Sequence, residues 1–173
     1  NDTQRIKRTA NTAISIFIGA AVIITLLGII LSPFILRIIY TPEEAFPLAV
    51  TYLRIVFAGM VFTLGYNLVC AIQRGFGDSK SSMYFVMAAT ATNVVLDYIL
   101  IAKLNMGVSG AALATIASQA LSFVLSIVYF RSKKHIVTFN PKEFCFDKEI
   151  AKDIIRIGLP SALQQGTVNV AYL

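Results

Sequence analysis

The 173 residues are 57% hydrophobic and only 14% charged, whereas a soluble domain carries about 25% charged residues. This excludes an ordinary soluble domain and predicts an all-α, polytopic membrane helix bundle. The net charge of +6 would suggest nucleic acid in a soluble chain, but here the basic residues gather at the ends of apolar runs, so topology explains the charge and no nucleic-acid partner is inferred.

In chain order, Asn1–Arg8 is polar and basic and does not resemble a signal peptide. Ala13–Leu36 is a first apolar run long enough to cross a bilayer, which takes about 20 residues. Ser32-Pro33 near its end is a candidate kink. Thr41-Pro42-Glu43-Glu44 reads as a turn that starts the next helix, with Thr as cap and Pro in the first turn. A second span is expected over Phe46–Ile72, a third over Ser82–Lys103 and a fourth over Val108–Phe130. Between the second and third, Gln73–Lys80 contains Gly-x-Gly but follows no strand, so it is a tight hairpin and not a dinucleotide fingerprint. Asp78 or Ser79 caps the third span.

In the fourth span Gly110, Ala114, Ser118, Ser122 and Ser126 recur every four positions, a seam of small residues for close helix packing. Residues 131–153 form a polar connector, whose end from Lys148 to Ile157 has the pattern of an amphipathic surface helix. Gly158-Leu159-Pro160 opens a fifth apolar segment, taken to begin at 154. The chain lacks a starting Met and stops within that apolar run at Leu173, and it is therefore read as an internal piece of a longer protein.

Orientation follows from the basic residues. With the N-terminal end and the 131–153 connector in the cytoplasm, most of the 15 Lys and Arg residues fall on that side, leaving Arg37 and Lys103 outside and Arg54 within a span. The predicted location is a multi-pass plasma membrane, the inner membrane in a bacterium.

Candidate chemistry concentrates in the third span. A carboxylate in hydrocarbon costs about 2.5–3.5 kcal/mol on insertion scales, so Asp97 calls for a partner or a purpose. Asn93 lies four residues before it, on the same helical face, and Thr90 extends the stripe. Asp97, Thr115 and Tyr52 each fall roughly 9–10 Å from the outer ends of their spans, at a common level, with Asn93 one turn deeper. Carboxylate, amide and hydroxyl oxygens suit Na⁺, and a partly desolvated carboxylate suits proton exchange. The alternative is a buried polar network that only fixes helix packing. Tyr52 also fits an interfacial tyrosine.

Arg54 either snorkels, pairs with a carboxylate or meets substrate. Asn67 fits an interhelical hydrogen bond, and Arg74 marks the inner face, with gating as the other reading. Cys70 and Cys145 form no short-spaced pair, and His135 stands without a ligand cluster in the connector, where it is read as solvated. Apart from Na⁺ at Asp97, Asn93 and Thr115, no metal site is suggested. With no nucleophile–base set and no phosphate loop, an enzyme is not expected and no cofactor is implied.

The ordered set IQRGFGDSKSSMYFVMAATATNVVLDYILI, GVSGAALATIASQALSFVLSIVYF and IGLPSALQQG resembles the multidrug and toxic compound extrusion (MATE) transporters. The resemblance implies a twelve-helix, two-lobe fold, of which residues 1–130 would be helices three to six of the N-terminal lobe. Residues 131–153 would be the interlobe connector and 154–173 the start of helix seven. It implies export of cationic, amphipathic drugs in exchange for H⁺ or Na⁺, with partners limited to the lipid bilayer, the drug and the remainder of the chain. Asn93 and Asp97 match the family's helix-five pair, Thr115 its helix-six threonine and Tyr52 its helix-four tyrosine. The helix-one aspartate of that cluster is absent from this sequence. Competing expectations are a lipid-linked oligosaccharide flippase of the related superfamily, which favours cationic residues along the cavity, and a non-transporting membrane scaffold, for which the Asn93/Asp97 stripe has no use.

Overall fold

The computed structural model describes residues 2–132 and 147–171, and every regular element among them is helical. The elements are α1 (Asp2–Ile38), α2 (Phe46–Ala58), α3 (Met60–Gly75), α4 (Lys80–Asp97), a π-helical turn (Tyr98–Lys103), α5 (Gly107–Ser132) and α6 (Lys148–Ala171). Three helical stretches are long and apolar enough to cross a membrane: Arg8–Ile38, Lys80–Lys103 and Gly107–Ser132. A fourth results if α2 and α3 together make one bent span.

Helix α1 continues through Pro33. Ser32 Oγ donates to the Gly28 carbonyl one turn back, and Ser32 is fully buried. The helix ends where Thr41 N donates to Leu36 O at 3.1 Å, with Tyr40 in the left-handed region at φ 53°. This is a Schellman-type end in which glycine is usual.

The Thr-Pro-Glu-Glu segment forms the expected turn but does not start the helix. Ala45 and Phe46 N–H groups both donate to Pro42 O at 3.0 Å, and α2 begins at Phe46 with Pro47 in its first turn. A proline is suited to that position because its missing N–H would find no intrahelical acceptor there.

The second span is not one straight helix. It bends by 43° at Gly59, between α2 and α3. A Cβ at Gly59 would run into Ile116 Cγ1, Cδ1 and Cγ2 on α5. The glycine therefore lets the α2–α3 backbone come down onto α5 where a side chain would hold it off.

The Gln73–Lys80 hairpin forms as expected. Gly77 takes φ 83°, Gly77 N donates to Arg74 O at 2.9 Å and Asp78 N donates to Gln73 O at 3.0 Å. Asp78 is the cap of α4: its Oδ1 accepts from Ser81 N at 3.2 Å and its Oδ2 from Ser81 Oγ at 2.8 Å. Ser79 makes no side-chain cap bond.

Helix α5 is the centre of the bundle, packed by α2, α3, α4 and the π-helical turn. The predicted seam is the packed surface: Gly110, Ala114, Ser118, Ser122 and Ser126 are all buried, and Ala114 and Ser126 are fully enclosed. Ser122 Oγ donates to Phe85 O of α4 at 2.9 Å, an interhelical bond that needs this close approach. Tyr66, Cys70 and Phe85 form a small core with Phe123, Leu125 and Tyr129 around it. Phe85 meets Tyr129 edge-on at 5.5 Å.

The described residues divide into two compact units, one running from Phe17 through α5, the other joining the start of α1, up to Ile16, with α6. In the latter, Asp147 N donates to Thr12 Oγ1 at 3.2 Å, and Thr12 is fully buried. Asp147 caps α6 by accepting from Glu149 and Ile150 N–H groups at 3.0 and 3.3 Å. Gly158-Leu159-Pro160, read as the opening of a fifth apolar segment, lies inside α6, which runs unbroken through all three residues, and the boundary drawn at 154 also falls inside it. Most of the predicted connector, with His135, lies outside the described residues.

Candidate functional site

Helix α4 buries Ser81, Ser82, Phe85 and Ala89 against its neighbours. The four-residue step from Ser81 to Phe85 to Ala89 continues to Asn93 and Asp97, both half-buried. The helical period alone therefore carries the amide and carboxylate along the packed side of α4. Asn93 Nδ2 and Asp97 Oδ1 are buried and make no hydrogen bond. A buried polar atom left in this state costs about 1–3 kcal/mol, and more when it is charged.

Above Phe85 the packing opens into a cavity of about 170 Å³ between α3, α4 and α5. Its polar lining is Tyr66 from α3, Thr90 and Asn93 from α4, and Thr115, Ser118, Gln119 and Ser122 from α5. Thr115 Oγ1 donates to Ala111 O at 3.0 Å and Ser118 Oγ to Thr115 O at 2.8 Å. Each hydroxyl proton is thereby directed to the backbone, and the remaining oxygen lone pairs are free to accept. Such oxygens suit a cation or a donor group on a ligand.

The structure brings Asn93 and Thr115 together on this cavity, with Thr90 of the same stripe. Asp97 lies one turn beyond, at the end of α4, and Tyr52 is half-buried on α2; neither is among the lining residues. Arg54, Asn67 and Arg74 are exposed on α2 and α3, and Arg54 and Arg74 make no ion pair among the described residues. Arg37 and Lys103 each stack on a nearby aromatic ring, Phe46 at 5.9 Å and Tyr98 at 5.8 Å. No group of three or more His, Cys, Asp or Glu that could hold a metal is present among the described residues.

A π-helical turn starts directly after Asp97. Leu104 N donates to Ile99 O at 3.0 Å and Met106 N to Leu100 O at 3.0 Å, and Asn105 takes φ 52°. The wider turn shifts the register of every residue beyond Asp97, a feature common next to functional positions.

Sequence reasoning overlooked Tyr66, Gln119 and Gln73. Tyr66 OH donates to Ser82 O at 3.0 Å, which fixes its ring as one wall of the cavity. Gln119 is adjacent to seam residue Ser118, and an amide inside an apolar run was the available signal. Gln73 is fully buried, with Nε2 3.5 Å from Ser126 O.

The MatE family model matches residues 1–99. The chain belongs to the MatE family. A relative from Bacillus subtilis, "Probable multidrug resistance protein YpnP", is 39% identical over 91% of this chain and 34% of its own. "Multidrug export protein MepA" of Staphylococcus aureus is 30% identical over 88% of this chain and 34% of its own. An outward-facing multidrug resistance MATE family transporter of the MOP superfamily superposes with a TM-score of 0.89 at 30% identity, over 99% of this chain and 38% of that one. The chain thus spans about a third of the length of these curated relatives. The all-α membrane bundle expected from composition is the MatE transporter fold, and its central helix α5 carries most of the polar cavity lining.

Proposed function

We propose that this chain is part of a cation-coupled antiporter, driven by H⁺ or Na⁺, that exports cationic or amphipathic drugs across the plasma membrane. The observation that carries this reading is the pair on α4: Asn93 and Asp97, one turn apart, each hold a buried polar atom without a partner. A scaffold has no use for that cost, whereas a coupling ion relieves it at Asp97 Oδ1 on binding. The relatives' names, multidrug resistance and multidrug export proteins, support the substrate class.

In this mechanism Asp97 is the charge that binds the ion or the proton. Asn93 and Thr115 supply neutral oxygens, and Tyr52 is the fourth member of the set. The cavity beside Asn93 receives part of the drug. Coupling requires that the ion bind one conformation of the protein better than the other, and a carboxylate whose solvation changes between them supplies that difference. Arg54, Asn67 and Arg74 are assigned to substrate contact or gating.

The test is dye efflux by the full-length protein, wild type and Asp97→Asn, with the Na⁺ and H⁺ gradients collapsed separately. Efflux should stop when one gradient is removed, and the variant should insert normally yet fail to export. Gradient-independent efflux, or normal efflux by the variant, would overturn the proposal.

A further inference from the structure

The start of α6 carries a basic row that the transport reading does not use. Lys148, Lys152 and Arg156 are spaced by four, each step advancing about 40° round the helix, and all three are exposed. With Ala151 and Ile155 they line one open cleft of about 400 Å³. Among the described residues no carboxylate lines it. Glu149 and Asp153 each follow a lysine by one position, about 100° further round. The cleft is therefore cationic on one side and apolar along Ile155, which is 55% exposed.

The level of this cleft follows from α1. The membrane-crossing stretch of α1 begins at Arg8 and runs for 31 residues. That is roughly 46 Å, against a hydrocarbon core of about 30 Å. The polar and basic residues of α1 end just before its apolar run begins at Ala13, which puts the turn around Thr12 at headgroup level. Thr12 Oγ1 accepts from Asp147 N, which holds the first residue before α6, and with it Lys148, at the same level. Three cations with no competing carboxylate, beside an apolar strip at headgroup depth, are complementary to a phosphodiester headgroup and the start of its acyl chain.

We propose that Lys148, Lys152 and Arg156 form a binding site for the phosphate headgroup of an anionic phospholipid. The long side chains hold the phosphate, and Ile155 meets the glycerol and upper acyl carbons. The site ties the start of α6 to the membrane surface.

The experiment is native mass spectrometry of the full-length protein, delipidated and titrated with phosphatidylglycerol or phosphatidylcholine. Wild type should bind the anionic lipid preferentially. Lys148→Gln/Lys152→Gln/Arg156→Gln should lose that preference by on the order of 100-fold, in proportion to three basic contacts at an anionic surface. Lys148→Arg/Lys152→Arg, which keeps the charge, should retain it, as should Glu149→Gln/Asp153→Asn. An unchanged preference in the triple glutamine variant would overturn the site. So would equal binding of both lipids by wild type, or displacement of the lipid by an equal concentration of inorganic phosphate, which would make the ligand a free anion. If the triple variant fails to fold, the lysine-to-arginine variant decides: loss of lipid preference with the charge retained overturns the proposal.

Discussion

Tyr129, near the end of α5, donates its phenol to Asp78 Oδ2 at 2.8 Å, joining the α3–α4 hairpin to α5 across 51 positions of sequence. The same carboxylate caps α4 through Ser81. One acidic side chain therefore sets both where α4 begins and how its hairpin lies on the central helix. A hydrogen bond to a charged group is worth about 1.5–3 kcal/mol. Tyr129→Phe should lower stability by about that amount, and Asp78→Ala by roughly 1 kcal/mol more through the lost cap. Thermal unfolding of the detergent-solubilised full-length protein, arranged as a double-mutant cycle, measures the coupling; additive losses would contradict the bond.

Gly59→Val tests the bend between α2 and α3. The new side chain meets Ile116 Cγ1 and Cγ2 at the branched Cβ as well as Cδ1, so turning the tip alone does not clear it. Overpacking of this kind costs about 1–3 kcal/mol. A lowered melting temperature is expected, with recovery when Ile116→Ala is added. Without that recovery, the clash is not the reason for the glycine.

Ser122 makes the interhelical bond to Phe85 O from a fully packed seam position. Ser122→Ala keeps the close approach and loses only the bond, about 0.6 kcal/mol in a membrane bundle. Ser122→Leu must also force α4 away and should cost several times more. Comparable melting temperatures for the two variants would show that α4 does not pack closely there.

Asn93 offers a separation of stability from function. Its Nδ2 is buried without a partner, so Asn93→Leu removes an unsatisfied donor and should leave stability unchanged or raise it by about 1 kcal/mol. Drug efflux should nevertheless fall, because the amide belongs to the proposed coupling set. Paired melting and transport assays check this, and a stable variant with full efflux would remove Asn93 from that set.

The spans were legible because crossing a bilayer demands length and apolarity, both of which are local properties of sequence. The α5 seam was legible for a related reason: a four-residue repeat of small side chains marks one helical face wherever the partner lies. The Asn93/Asp97 pair also showed locally, since a carboxylate in an apolar run stands out against its neighbours. The bend at Gly59 did not show, because one glycine in an apolar run looks the same whether the helix is straight or bent. Its role depends on Ile116, 57 positions away. Tyr66 and Gln119 were overlooked for the same reason, as their exposure to one cavity depends on how α3, α4 and α5 rotate against each other.

By itself, then, the sequence determined that this is a membrane bundle, which helical face of α5 is packed, and that Asn93 and Asp97 share a face of α4. These follow from hydrophobic length and from a 3.6-residue period, which need no knowledge of neighbours. Tertiary structure decided that Asn93 and Thr115 border one cavity while Asp97 and Tyr52 do not line it, and that α2 and α3 meet at a 43° bend over α5. Each of these depends on the rotation and close approach of helices distant in sequence, and that geometry is set by side-chain packing across α5.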